Sequence, residues 1–162
     1  MIFIKNREEL TWMELGQDNF GVARSSLSQG TAAQKIACAI YRLEPGKKSF
    51  PFHFHHNNEE AIYVLEGQGT LRLGGNQLPV KAGDYIPFPV GRSFAHQLIN
   101  ESEAPLQYLC LSTQEETDIL EYPDSNKLGL WAGAKPGTPP NQWDLYQIHA
   151  KGAKIGYYEG EE

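Results

Sequence analysis

From residue 34 to 112 the chain alternates between short apolar runs and short polar breaks. KIACAIYRL, AIYVLEG, GTLRL, GNQLPV, GDYIPF, SFAHQLIN and PLQYLCLS follow one another, each of strand length and rich in Val, Ile, Leu, Tyr and Phe. Runs of this kind at short, regular spacing predict an all-β barrel or sandwich. Gly67, Gly69, Gly74, Gly75, Gly83 and Gly91 fall in the breaks, where tight turns form. No helical period of useful length interrupts the series.

The flanks have a different texture. Residues 1–33 read as an irregular N-terminal arm, with LTWMELG as a short helical turn or strand and SSLSQGTAAQ as loop. The barrel core is placed at residues 34–115. Beyond it, ETDILEYPDS has room for one helical turn before Pro123 stops it, and AGAKPGTPPNQW is rich in Gly and Pro. Residues 116–162 are expected to wrap the core as an extension of the same domain. Trp131 and Trp143 would anchor it, and KIGYYEGEE could add a short strand.

Composition narrows the class. A chain of 162 residues has the size of one ordinary domain and can bury a real core. Twenty acidic against 14 basic residues give a net charge of −6. That balance argues against a nucleic-acid partner, which needs a clustered basic face, and it has the wrong sign for anionic lipid. Cys38 and Cys110 lie inside apolar runs and read as buried free thiols. MIFIKNREELTW has charges by its fifth residue and no signal-peptide core, and no run is long enough to span a bilayer. A cytoplasmic location is the expectation.

The chemistry concentrates in PFHFHHNNEEAIYVLEGQG, residues 51–69, where three of the five histidines and two glutamates share the eight positions from His53 to Glu60. On an extended strand, residues i and i+2 project to one face, so His53 and His55 can share one ion without distorting the backbone. His56 then faces the other way, toward a hydrogen-bonding role at the rim. Of the adjacent Glu59 and Glu60, only one can share the side of the histidine pair. His96 lies with Phe94 and Leu98 on an apolar face, where an imidazole either finds a hydrogen-bond partner or binds something. His149 reads as a surface residue.

These spacings resemble the cupin superfamily. Its first motif is a Gly, a His-x-His, four residues, a Glu, six residues and a Gly; Gly46, His53, His55, Glu60 and Gly67 match it. Its second is a Gly, five residues, Pro-x-Gly, a His, three residues and an Asn; Gly83, Pro89, Gly91, His96 and Asn100 match. The gap between Gly91 and His96 is four residues where two are common, which predicts a longer turn. The resemblance implies a double-stranded β-helix, the jelly-roll barrel of cupins, holding one divalent metal through His53, His55, Glu60 and His96. Spacing to Gly67 and side-chain parity both select Glu60 over Glu59. Three imidazoles and a carboxylate suit Zn, Mn, Fe, Ni or Co, and are too rich in nitrogen for Ca or Mg. A homodimer, with the N-terminal arm and apolar strand faces buried across it, is also implied.

Cupins with this ligand set include isomerases, dioxygenases, decarboxylases and non-catalytic binding proteins, so the reaction stays open. A sugar phosphate isomerase would use the ion as a Lewis acid on a carbonyl and its neighbouring hydroxyl. Lys47, Lys48, Arg72 and Arg92, near the motifs, are the phosphate candidates. PGKKSFPFHFH lacks the Gly-, Thr- and Lys-rich segment of archaeal phosphoglucose-isomerase cupins. The alternatives are an Fe-dependent dioxygenase of a small molecule and a barrel that only binds one.

Overall fold

The computed structural model describes residues 4–134, 140–152 and 156–161. Its strands in chain order are β1 (Met13–Leu15), β2 (Val22–Ser26), β3 (Ile36–Leu43), β4 (Phe54–His55), β5 (Glu60–Glu66), β6 (Gln68–Leu73) and β7 (Asn76–Lys81). They continue with β8 (Tyr85–Phe88), β9 (His96–Ile99), β10 (Leu106–Thr113), β11 (Thr117–Tyr122), β12 (Lys127–Ala132) and β13 (Leu145–Ala150). One wall is the sheet β1-β2-β3-β10-β5-β8. The other joins β7-β6-β9 to β4-β11-β12-β13, stitched by the bridges Lys48↔Ile99 and His53↔His96. The result is the all-β barrel expected from the strand pattern. No helix among the described residues is long and apolar enough to cross a membrane.

The register of the first wall decides where the barrel is open. Leu43 lies opposite Leu106; the next rows are Tyr41–Tyr108–Val64, then Ala39–Cys110–Ile62, then Ala37–Ser112–Glu60. Residues opposite one another share a face, and Leu43, Leu106, Val64 and Tyr108 belong to the core, so these rows line the interior. Leu43, Leu106 and Val64 are 0% exposed, whereas Ala37, Cys110, Ser112 and Glu60 are only half-buried. Leu71 and Leu98 from the second wall close the packed end. Each such aliphatic side chain contributes roughly 1.5–3 kcal/mol by leaving water, so the barrel does not depend on its open end for stability. Cys38 and Cys110 are free, and half-buried where full burial was expected.

Two turns carry the strands around that end. Gly67 has φ +83°, and a Cβ there would stand 2.5 Å from the Pro105 carbonyl oxygen, so only glycine lets β5 turn into β6 beneath β10. The long gap after Gly91 is taken up by a 3-10 turn over Arg92–Phe94. Gly91 donates its N–H to the His55 carbonyl at 2.9 Å, which fastens this turn to β4. Phe94 sits on the turn, 36% exposed, and not on the inward face with His96 and Leu98 as its spacing suggested.

The flanks hold more strand than their texture suggested. Residues 22–26, expected to be irregular, form β2 and pair with β3. TDILEY, given room for a helical turn, forms β11 with Asp118 and Leu120 facing inward at 1% and 5% exposure. Residues 157–160 are turn; among the described residues the last strand is β13, and residues 153–155 and 162 of the expected strand lie outside that set.

Candidate metal centre

The structure gathers His53, Glu60 and His96 at the open end, one ligand atom of each lying within 4.8 Å of the others. His53 and His96 face each other across an antiparallel bridge between the two halves of the second wall, and Glu60 opens β5 on the first. His55 stands beside this trio. Its Nε2 is 3.4 Å from Glu60 Oε2, the oxygen that His96 Nε2 approaches to 3.3 Å. The convergence joins the stretch from His53 to Glu60 with His96, far along the chain, as barrel closure requires.

Each imidazole is held from behind. His53 Nδ1 donates to the Pro51 carbonyl at 2.8 Å and His96 Nδ1 to the Phe94 carbonyl at 3.0 Å. His55 Nδ1 meets the Asp118 carboxylate at 2.5 Å. A carbonyl oxygen can only accept, so Nδ1 of His53 and His96 carries a hydrogen and Nε2 is the nitrogen left to face an ion or, in His96, Glu60. Outward anchoring of Nδ1 is the arrangement that presets histidines for metal ligation. The nitrogen and oxygen donors suit a divalent first-row ion.

The electrostatics point the same way. Burial, reinforced by neighbouring His96, lowers the pKa of His53 to about 3. Burial opposes charge on His55 too, but its hydrogen bonds to Asp118 and Glu60 outweigh that and raise it to about 9. Burial works against an ionised Glu60, yet hydrogen bonds from His55 and His96 hold it well below the usual carboxylate range. A carboxylate and a cation are therefore favoured together at one point.

Aromatic rings shape the surroundings. His96 stacks on Phe88 with centroids 3.7 Å apart, Tyr122 lies over His53 at 6.0 Å, and Trp131 meets His55 edge-on at 6.3 Å. Trp131 also packs on Trp143 and Tyr146. Two polar features escaped sequence reasoning. Asp118 arrives on β11, and Arg24 projects from β2 onto the interior face opposite Tyr41, donating from Nε to its hydroxyl at 3.1 Å. Residue alternation on TDILEY was the available signal for the first; none marked the second.

The remaining named residues lie elsewhere. Lys47 reaches the Asp18 carbonyl, Lys48 is exposed, and Arg72 is held by both oxygens of Asp124 while lying over the Phe52 ring. Arg92 is exposed on the turn fastened to β4 and makes no ion pair among the described residues. His56 pairs with Glu121 at the rim, and His149 with Gln147 on the surface. Glu59 is exposed, its backbone N–H donating to Thr113 Oγ1. Glu60→Gln is expected to lower metal affinity at least about tenfold while Glu59→Gln leaves it unchanged; isothermal titration with Zn²⁺ or Mn²⁺ reads the difference, and the reverse order would assign the acid to position 59.

Comparison with known proteins gives a consistent picture. Residues 39–112 match the family described as Cupin domain. An uncharacterized protein of Methanocaldococcus jannaschii is 38% identical over 92 residues, 54% of this chain and 70% of that protein. The oxalate-binding protein of Thermotoga maritima is 33% identical over 73 residues, 45% of this chain and 58% of that protein. Among solved structures, a candidate sugar phosphate isomerase from Acidithiobacillus ferrooxidans superposes with TM-score 0.66 at 28% identity, covering 79% of this chain and 76% of that one. A sugar phosphate isomerase from a cupin superfamily, of Silicibacter pomeroyi, does so with TM-score 0.66 at 27% identity, covering 83% and 81%.

Proposed function

This chain belongs to the cupin superfamily, and from that footing we propose that it is a metal-dependent isomerase of small phosphorylated hydroxy-carbonyl compounds. One observation carries the reading: three imidazoles, each anchored through Nδ1, stand around Glu60 at the open end of the barrel. His53, His55, His96 and Glu60 would hold one divalent transition metal. When bound, such an ion supplies Lewis acidity to a carbonyl and the hydroxyl beside it.

The chain's own groups would do the rest. Arg24 is half-buried on the interior face, with no carboxylate within 4.0 Å among the described residues. Its guanidinium suits a phosphate. Tyr41, pushed up to about 12 chiefly by burial, stays protonated and donates. Tyr122 and Trp131, the aromatic neighbours of His53 and His55, would border the apolar side of a sugar. Both histidine contacts use Glu60 Oε2, so we assign Oε1 to carrying the proton between carbons. The similarity to sugar phosphate isomerases over most of both chains supports the choice.

The test is solvent exchange. Metal-loaded protein in D₂O with aldose and ketose phosphates is expected to replace the hydrogen next to the carbonyl by deuterium, seen as loss of its proton NMR signal. Absence of exchange with every sugar phosphate tried would sink the isomerase. A second reading, a barrel that binds without catalysis, is favoured by the weak basicity of a carboxylate held as low as Glu60 and by the similarity to an oxalate-binding protein. It is selected if exchange fails while oxalate or a sugar phosphate still binds the loaded protein. Oxygen consumption by the Fe-loaded form would select a dioxygenase instead.

A further inference from the structure

Asp118 is 1% exposed, although it belongs to a strand beyond the two cupin motifs. Its Oδ2 accepts from His55 Nδ1 at 2.5 Å and from Asn58 Nδ2 at 3.0 Å. Its Oδ1 accepts from the backbone N–H groups of Asn57 and Ile119, each at 2.9 Å. Four donors on two oxygens use the whole acceptor capacity of a carboxylate. The group cannot turn, and an amide could not replace it without aiming an N–H at another N–H. The same strand also holds the backbone of β4, with Leu120 opposite His55 and Glu121 opposite Phe54. A two-residue strand has little stiffness of its own, so main chain and ring of His55 both take their orientation from β11.

We propose that Asp118 is the positioning residue of the metal centre. By accepting the Nδ1 hydrogen it fixes the tautomer of His55 and turns Nε2 toward Glu60, so that β11 sets the metal affinity of the His-x-His segment without touching the ion. This rests on the reading of His55 as a ligand. Support of this kind is worth roughly 10–100-fold in metal affinity.

A double-mutant cycle separates positioning from plain structural support. Co²⁺ and Zn²⁺ dissociation constants would be measured by chelator competition for the wild type, Asp118→Ala, His55→Ala and the double variant. Asp118→Ala is expected to weaken binding about 10–100-fold in the wild type and less than about twofold once His55 is gone. Equal losses in both backgrounds would overturn the proposal, because Asp118 would then act through the fold. Should Asp118→Ala not fold, the imidazole ¹H–¹⁵N spectrum of the Zn²⁺-loaded wild type decides. A hydrogen on His55 Nδ1 with Nε2 ligated supports the proposal, and ligation through Nδ1 overturns it. A wild type that takes up neither ion in the first titration removes the metal centre itself, a failure distinct from that of Asp118.

Discussion

Replacing His53 by alanine is expected to lower metal affinity by roughly 100-fold or more, while the metal-free barrel keeps its stability to within about 1 kcal/mol. The two effects separate because the packed end, around Leu43, Val64 and Leu106, is remote in register from the Glu60 row. His96→Ala should lose the ion to the same degree but cost about 2–4 kcal/mol as well, since the residue is 7% exposed and its ring is stacked on Phe88. Elemental analysis after gel filtration gives the metal ratio, and urea unfolding of chelated protein gives the stability. A variant that retains wild-type metal content would strike that histidine from the ligand set.

The metal-free protein is expected to be most stable near pH 6.5, because two neighbouring histidines are moved in opposite directions. His55 rises to about 9, so its contribution is complete below 6.5 and is lost as pH climbs through 9. His53 falls to about 3, so below 6.5 the unfolded chain takes up a proton that the folded one refuses, and stability drops with pH. Glu60 and Asp118, both held low against the pull of burial by hydrogen bonds that include His55, steepen the acid limb below about their ordinary values of 4.5 and 3.8. Each histidine gives a slope of at most about 1.4 kcal/mol per pH unit. Loading the ion changes the alkaline limb, since a ligand histidine must be neutral. Metal uptake at pH 7.5 should therefore release about one proton and strengthen up to tenfold per pH unit until about 9. A dye-monitored titration with no proton release would show that His55 does not bind the ion.

The inward line of His53, Glu60 and His96 was readable because strand alternation and turn spacing are local properties. Glu60 over Glu59 is a matter of parity, and the four-residue gap after Gly91 announced its turn. Charges were harder to place. Arg72 is a sequence neighbour of the motifs, but it adjoins the inward Leu71, so the pleat sends it out to Asp124. Arg24 hides in VARSS, where Ala23 and Ser25 are as buried as Val22, at 1% each, and no alternation remains to be seen. Asp118 was missed for a different reason, although the alternation along TDILEY carried a signal for it. A charged residue at an inward strand position looks like loop until its partner, far along the chain, is known.

That distance has an effect during synthesis. His55 and Asp118 are 63 positions apart, so a nascent chain emerging from the ribosome exposes its His-x-His segment well before the acid that orients it exists. On the proposed reading, the centre would be assembled only after β11 has been made and has paired with β4.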